Sequence, residues 1–135
     1  MCRYLIYTLV CYQSQYVDMF KVFLQSLLSF SDCSAFDLCI ICDDVSAKVL
    51  KTLKILEHFN TYYLITCKYK NLFDVLLCKF DIVQHPNFLD YDRVLYLDSD
   101  IVVQKNIMDL FAQVRVKKTS CTLHVKATFT TNIGH

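Results

Sequence analysis

The chain has 135 residues, 55% of them hydrophobic, with 10 Phe, 9 Tyr and a formal net charge of +1. This length suits one domain with its own core and is too short for two. The aromatic content excludes a disordered chain, and the near-zero charge provides no global field for nucleic acid or an anionic membrane surface.

Residues 4–10, YLIYTLV, form a continuous apolar, β-rich run, the pattern of a strand buried on both faces. The wider stretch MCRYLIYTLVCYQSQ has one Arg and an apolar centre but lacks a small-residue cleavage pattern, so it reads as this first strand rather than a leader. Phe20, Phe23, Leu24, Leu27 and Leu28 recur at helical spacing and predict an amphipathic helix over 16–30. FDLCIIC (36–42) reads as a second buried strand. DDVSAKVLKTLKILEHF (43–59) predicts a second helix, with Ser46 as N-cap and Val49, Leu50, Leu53 and Leu56 on one face. TYYLIT (61–66) gives a third strand, and NLFDVLLCKFDIVQH (71–85) a third helix that stops ahead of Pro86. RVLYL (93–97) is a fourth strand, NIMDLF (106–111) one or two helical turns, and TSCTLHVKATFTT (119–131) alternates like an edge strand. Strands alternating with helices imply an α/β fold, a mainly parallel sheet with flanking helices, in a single domain over 1–135. No apolar run reaches the length of a membrane-spanning helix.

The eight cysteines lie mostly inside apolar runs, as buried thiols do. Cys39 and Cys42 form a C-x-x-C, but an offset of three on a strand sends the two side chains to opposite faces. Free buried thiols imply a reducing compartment, and the expected location is cytoplasmic. Beyond Asp109 no acidic residue occurs, while Arg115, Lys117, Lys118 and Lys126 follow, which reads as a solvated basic face.

The chemistry concentrates in RVLYLDSDIVV, residues 93–103. Aspartate is poor in strand interiors and costly to bury as a charge. In a parallel sheet, ligands bind outside the carboxyl ends of the strands, where Asp98 and Asp100 fall. On an extended segment, residues two apart point the same way with Cα atoms roughly 6.5 Å apart, so the two carboxylates can converge on one cation while Ser99 points away. An all-oxygen donor set favours Mg2+ or Mn2+, which in turn holds phosphates. Two other readings stand beside this one. Both aspartates can simply cap a turn. D-x-D-x-V also matches the nucleophile motif of haloacid-dehalogenase-type phosphatases, with Asp98 as nucleophile and Asp100 as acid/base. That motif normally sits on the first strand and needs downstream lysine and acidic residues, whereas this chain has no acidic residue after Asp109.

The segment FLDYDRVLYLDSDIVVQKNIMDLF resembles the core of the GT-A glycosyltransferases of family 8, the glycogenin and galactosyltransferase type, where Y-D-[KR]-V-L-Y-L-D-x-D leads into a short helix ending in L-F. Weaker similarity runs along the whole chain. The resemblance implies a Rossmann-like nucleotide-diphospho-sugar transferase fold and a UDP-linked sugar donor, with Mn2+ or Mg2+ on Asp98 and Asp100. YTLVCYQSQY is similar to the opening strand and loop that hold the base. There Thr8 and Leu9 match strand-end residues beside the uracil, and Tyr16 matches an aromatic that stacks on it. Asp98 and Ser99 would contact the nucleotide. Lys79 falls where the family has a basic residue near the sugar, and Asn132 in TTNIGH matches a sugar contact. The family continues past this length, with a late His as third metal ligand and a Gly and Lys that complete the diphosphate site. The chain therefore resembles a truncated, N-terminal nucleotide-binding part, and His124 and His135 read as surface residues. No side chain stands out as a nucleophile, so transfer to a hydroxyl acceptor would rest on positioning and electrostatics. A non-catalytic nucleotide- and metal-binding module, or a subunit whose open edge a partner or a second copy covers, are the rival readings.

Overall fold

The computed structural model describes residues 3–11, 14–113 and 122–124. In chain order they form β1 (Tyr4–Val10), α1 (Ser14–Phe30), β2 (Asp37–Cys42), α2 (Asp44–Leu50), β3 (Tyr62–Thr66), α3 (Leu72–Leu77), β4 (Arg93–Tyr96), α4 (Ile107–Gln113) and β5 (Thr122–His124), with 3₁₀ segments at Lys54–His58, Cys78–Gln84 and Phe88–Asp90. Among the described residues the sheet has five strands, all parallel, in the order β3-β2-β1-β4-β5. The strands lie where the apolar runs predict them. Of the tail, only β5 is described, and it occupies the sheet edge beside β4. The basic residues Arg115, Lys117, Lys118 and Lys126, together with Asn132 and His135, lie outside the described residues.

Successive strand residues point to opposite faces, and both faces are covered. Ile6, Val10, Leu38, Ile40 and Leu95 pack under Phe20, Phe23, Leu24 and Leu27 of α1. Leu5, Tyr7, Cys39, Ile41, Val94 and Tyr96 pack under Val75, Cys78 and Ile82. Cys39 and Cys42 therefore do fall on opposite sides of the sheet. All six described cysteines are buried and free. Burial pushes the Cys33 thiol up to about 11 and those of Cys39 and Cys42 up to about 12.

Two helices differ from the sequence reading. The second begins at Asp44 with Asp43 as its N-cap: the backbone N–H of Ser46 donates to Asp43 Oδ1 at 2.7 Å. Ser46 is not the cap but a buried residue of the first turn. The chain leaves β2 at Cys42 and must start the helix at once to bring Ala47 and Leu50 onto the core. The helix then stops at Leu50 rather than running to Phe59. Leu50 and Leu56 are both fully buried. Six residues of continuous α-helix would set them about 120° apart, at the two margins of one inward face. The chain instead leaves the helix there, and the Val49 carbonyl accepts both the Thr52 N–H at 3.0 Å and the Thr52 hydroxyl at 2.6 Å. Val49, expected inside, is exposed.

The third helix is α for one stretch and then tightens into 3₁₀ over Cys78–Gln84. Seven residues is long for 3₁₀ geometry, which stacks side chains i and i+3 directly above one another. Its inner side is buried, but Leu72, Phe73, Leu76, Phe80 and Val83 remain exposed, an apolar outer face.

The amino ends of the strands are tied by a polar cluster. The Tyr91 hydroxyl donates to Asp37 Oδ2 at 2.6 Å, Arg3 lies 3.8 Å from the same carboxylate, and its guanidinium sits over the Tyr91 ring. His85 is wedged edge-on against Tyr63 and Tyr91, 3% exposed. Its Nδ1 accepts from the Asn87 N–H at 3.0 Å, which leaves Nε2 to carry the proton, buried and without a partner among the described residues. Burial holds the imidazole pKa below its ordinary value; Asp37 opposes that shift and Arg3 adds to it. A depressed folded pKa gives stability that is present above the unfolded value of about 6.5 and lost as the pH falls through the folded value. Wild-type melting temperature should therefore fall between about pH 7 and pH 5 more steeply than that of His85→Phe. Parallel melting curves for the two proteins would contradict a neutral, buried His85.

Candidate functional site

The order β3-β2-β1-β4-β5 reverses direction between β1 and β4: the chain builds outward from β1 to one side, then returns to the other. In open α/β sheets this switch point leaves a crevice at the carboxyl ends of the strands. The segment carrying Asp98 and Asp100 leaves β4 there.

The two carboxylates are not on an extended strand, as the spacing alone suggests. Leu97, fully buried, continues the ladder by donating its N–H to the Tyr7 carbonyl at 3.0 Å. The chain then turns, with the Ile101 N–H directed at the Asp98 carbonyl at 3.4 Å. Ile101 and Val103 return to the core beneath α1. The Val103 N–H donates to Ser26 Oγ and the Ile107 N–H to Ser31 Oγ, both at 2.9 Å, so α1 fixes the outgoing chain. Two charged residues cannot follow their neighbours into an apolar core, so the turn lifts them to the rim. Asp98 ends half-buried and Asp100 exposed, while Ser99 is buried.

One phenol hydrogen-bonds Asp98 and feels the charge of both carboxylates. Tyr96 is buried on the far face of the sheet and stacks obliquely on Tyr7, with ring centroids 5.0 Å apart. Burial raises its pKa far above the phenolic range, and the Asp98 charge, a hydrogen bond to the Asp98 side chain and the Asp100 charge raise it further. Tyr96 thus stays protonated and donates to Asp98. Lys79, from the 3₁₀ segment, brings its Nζ to 5.9 Å from the Tyr96 ring centroid. Asp98, Asp100 and Lys79, three of the sequence-derived candidates, therefore converge around one tyrosine that the sequence reading did not single out. The donor set at this turn consists of two carboxylates at a solvent-facing rim, which suits a hard divalent ion with open positions for water or phosphate.

The remaining candidates are placed differently. Thr8 is fully buried on the α1 side, and its hydroxyl finds no partner among the described residues. Leu9 is half-buried against the Tyr7 face, and Tyr16 packs half-buried against the α1 core. Asn132 lies outside the described residues. A cleft of about 330 Å³ opens at the carboxyl ends of β1 to β3, lined among others by Ser14, Asp18, Lys21, Asp43 and Tyr69. There the Tyr69 hydroxyl donates to Asp43 Oδ2 at 2.7 Å. The cleft presents Tyr69 as its aromatic residue, and Tyr16 is not part of its lining. Tyr69 follows the third strand by three residues, a position that carries no recognisable pattern on its own.

The model of the family described as "Glycosyl transferase family 8" matches residues 7–129. Among solved structures, mouse xyloside xylosyltransferase 1 in its apo form superposes with a TM-score of 0.57 at 16% identity, covering 82% of this chain and 48% of that one. The apo-form glycosyltransferase GlyE of Streptococcus pneumoniae TIGR4 gives a TM-score of 0.51 at 21% identity, covering 87% of this chain and 28% of that one. Both are GT-A-type glycosyltransferases, so the fold is of that type. This chain spans about half the length of the first and less than a third of the second. A search of curated protein sequences returned no match.

Tyr96→Phe keeps the ring and removes the group that orients Asp98. Losing a hydrogen bond to a metal-ligating side chain typically weakens the metal by about tenfold or more. Mn2+ titration followed by electron paramagnetic resonance should show that loss, with an unchanged melting temperature within a few degrees. Equal Mn2+ affinity in the two proteins would contradict the orienting role of Tyr96.

Proposed function

We propose a function that starts from the family: the chain belongs to glycosyl transferase family 8. It binds a nucleotide sugar, UDP-linked, along the carboxyl rim of the sheet, and takes part in transfer of a hexose to a hydroxyl acceptor. The observation that carries this reading is the convergence of Asp98, Asp100 and Lys79 around Tyr96 at the switch point. Asp98 and Asp100 would hold Mn2+ or Mg2+, and Tyr96 would keep Asp98 oriented. Such an ion supplies positive charge against a departing diphosphate. The Lys79 ammonium adds positive charge near the same rim, where the resemblance assigns a sugar contact. The cleft beside Asp43 and Tyr69 is of the size that nucleoside ligands occupy and supports seating the base there, with Thr8, Leu9 and Tyr16 behind it. Ser99 would meet the diphosphate through its backbone, since its side chain is buried.

No helix among the described residues is long and apolar enough to cross a membrane. Six buried, free cysteines support a reducing, cytoplasmic setting. This chain covers 48% and 28% of the two structural neighbours; a second reading is a module that binds metal and nucleotide without turning the donor over. In the family a late His and Lys complete the diphosphate clamp. A polypeptide of these 135 residues alone does not include that His and Lys; each charged contact of this kind contributes roughly 2 to 4 kcal/mol of transition-state stabilisation, so without two of them the chemistry is about a thousandfold or more slower.

Calorimetry with UDP and Mn2+, paired with a coupled assay of UDP release from UDP-glucose and UDP-galactose, separates the readings. The 135-residue chain should bind UDP only with Mn2+, Asp100→Asn should lose that binding while staying folded, and UDP release should be slight. UDP affinity that is unaffected by chelation and by Asp100→Asn would refute the metal-dependent site. Clear donor turnover that disappears in Asp98→Ala would instead make the short chain an enzyme in its own right.

A further inference from the structure

Cysteines 11, 67 and 78 are far apart in sequence, yet the parallel sheet gathers them at one corner. Cys11 directly follows β1, and Cys67 directly follows β3, its N–H donating to the Cys42 carbonyl at 2.8 Å. Cys78 opens the 3₁₀ segment that crosses these strand ends. Asp81 lies three residues on, and in 3₁₀ geometry that spacing stacks its side chain directly over Cys78. The Cys11 and Cys67 sulfurs are 3.3 Å apart. The Cys67 and Cys78 sulfurs and an Asp81 oxygen all lie within 4.8 Å of one another. The three thiols are buried and Asp81 is half-buried at the mouth.

We propose that Cys11, Cys67, Cys78 and Asp81 form a tetrahedral zinc site, separate from the Asp98–Asp100 turn. A tetrahedral ion with Zn–S bonds of about 2.3 Å sets its ligand atoms about 3.8 Å apart; the ligand atoms of Cys67, Cys78 and Asp81 lie within 4.8 Å of one another, and Cys11 joins them through its 3.3 Å contact with the Cys67 sulfur. Three soft thiolate sulfurs with a single carboxylate oxygen form a donor set that selects zinc over Mg2+ or Mn2+. The converse holds at the Asp98–Asp100 turn, whose donors are all oxygen. Binding deprotonates three thiols and releases three protons, so affinity rises with pH. With one carboxylate the site carries the same formal charge as a four-cysteine zinc site. The ion joins the ends of β1 and β3 to the 3₁₀ segment. Lys79, the next residue after Cys78, is thereby held over Tyr96. Zinc in this chain thus acts as a structural pin beside the nucleotide rim rather than as a catalyst.

The test is metal content and cobalt substitution on the full chain, purified without added metal and reduced. One zinc per chain is expected by atomic emission, and Co2+ in its place should give a thiolate-to-cobalt charge-transfer band with intense, tetrahedral d–d bands. Cys67→Ser should weaken the charge-transfer band. Asp81→Asn, at the site mouth, should stay folded by circular dichroism and bind zinc at least about tenfold more weakly in a chromophoric-chelator competition. Asp98→Asn with Asp100→Asn should leave the cobalt spectrum unchanged, so failure of the nucleotide reading and failure of this one are told apart. A cobalt spectrum without thiolate charge transfer overturns the proposal. So does a spectrum indifferent to Cys67→Ser and Asp81→Asn, or one abolished by the Asp98 and Asp100 changes. A native Cys11–Cys67 disulfide found by peptide mass spectrometry overturns it as well.

Discussion

Two carboxylates sit between residues that must be buried, and the carboxyl rim of this protein is built around that conflict. Leu97 ends the strand ladder fully buried, and Ile101 starts the return to the core at 2% exposure. Burying an ionised aspartate between them without a partner would cost several kcal/mol. The chain resolves the conflict with a turn at the sheet rim, and Ser26 of α1 and Ser31 just after it hold the outgoing segment in place. Ser26 sits on the helix whose Phe20, Phe23, Leu24 and Leu27 cover the sheet. The core and the aspartate turn therefore share their supports, and loosening one face of α1 moves the other.

The rim gathers chemistry because the sheet is parallel. Every strand ends on the same side, so Cys11, Asp43, Cys67 and Asp98, which follow four different strands, become neighbours along one edge. Tyr96 links the two faces of this arrangement. Its ring packs on Tyr7 within the lower core, while its hydroxyl reaches up to Asp98. Hard oxygen donors lie at the switch point and soft sulfur donors at the β1–β3 corner, with Lys79 between them on the 3₁₀ segment. The opposite, amino edge has a different character: Arg3, Asp37, Tyr91 and His85 form a stabilising cluster there.

Strand positions and the first helix were legible because continuous apolar runs and the Phe20 to Leu28 spacing leave little choice of structure. The break after Leu50 was not legible, because Val49, Leu50, Leu53 and Leu56 span about 120° of a continuous helix, an ordinary width for an inward face. Asp43 outcompeted Ser46 as cap because the strand ends immediately before it, a boundary that propensity does not specify. The importance of Asp98 and Asp100 could be read from charge in an apolar run at a strand end. Their geometry could not, since an extended register and a rim turn both follow from the same letters. Tyr96 looked like any core aromatic, because its role depends on the rotamer that points its hydroxyl past the end of the strand. The six described thiols are buried and free, as the apolar runs around them led one to expect. Their convergence depends on the strand order, which no local pattern reports.

The central claim is that the Asp98–Asp100 turn, oriented by Tyr96, is the place where a hard divalent ion meets the nucleotide. Paramagnetic broadening maps this directly: Mn2+ is added in small amounts to the isotope-labelled chain with UDP, and amide signal loss is recorded residue by residue. The account predicts loss centred on Asp98 to Ile101, extending to Leu9 to Cys11 and to Lys79, and abolished in Asp100→Asn. Loss centred instead on the exposed carboxylates Asp90 and Asp92 at the amino edge, or unchanged by Asp100→Asn, would contradict it.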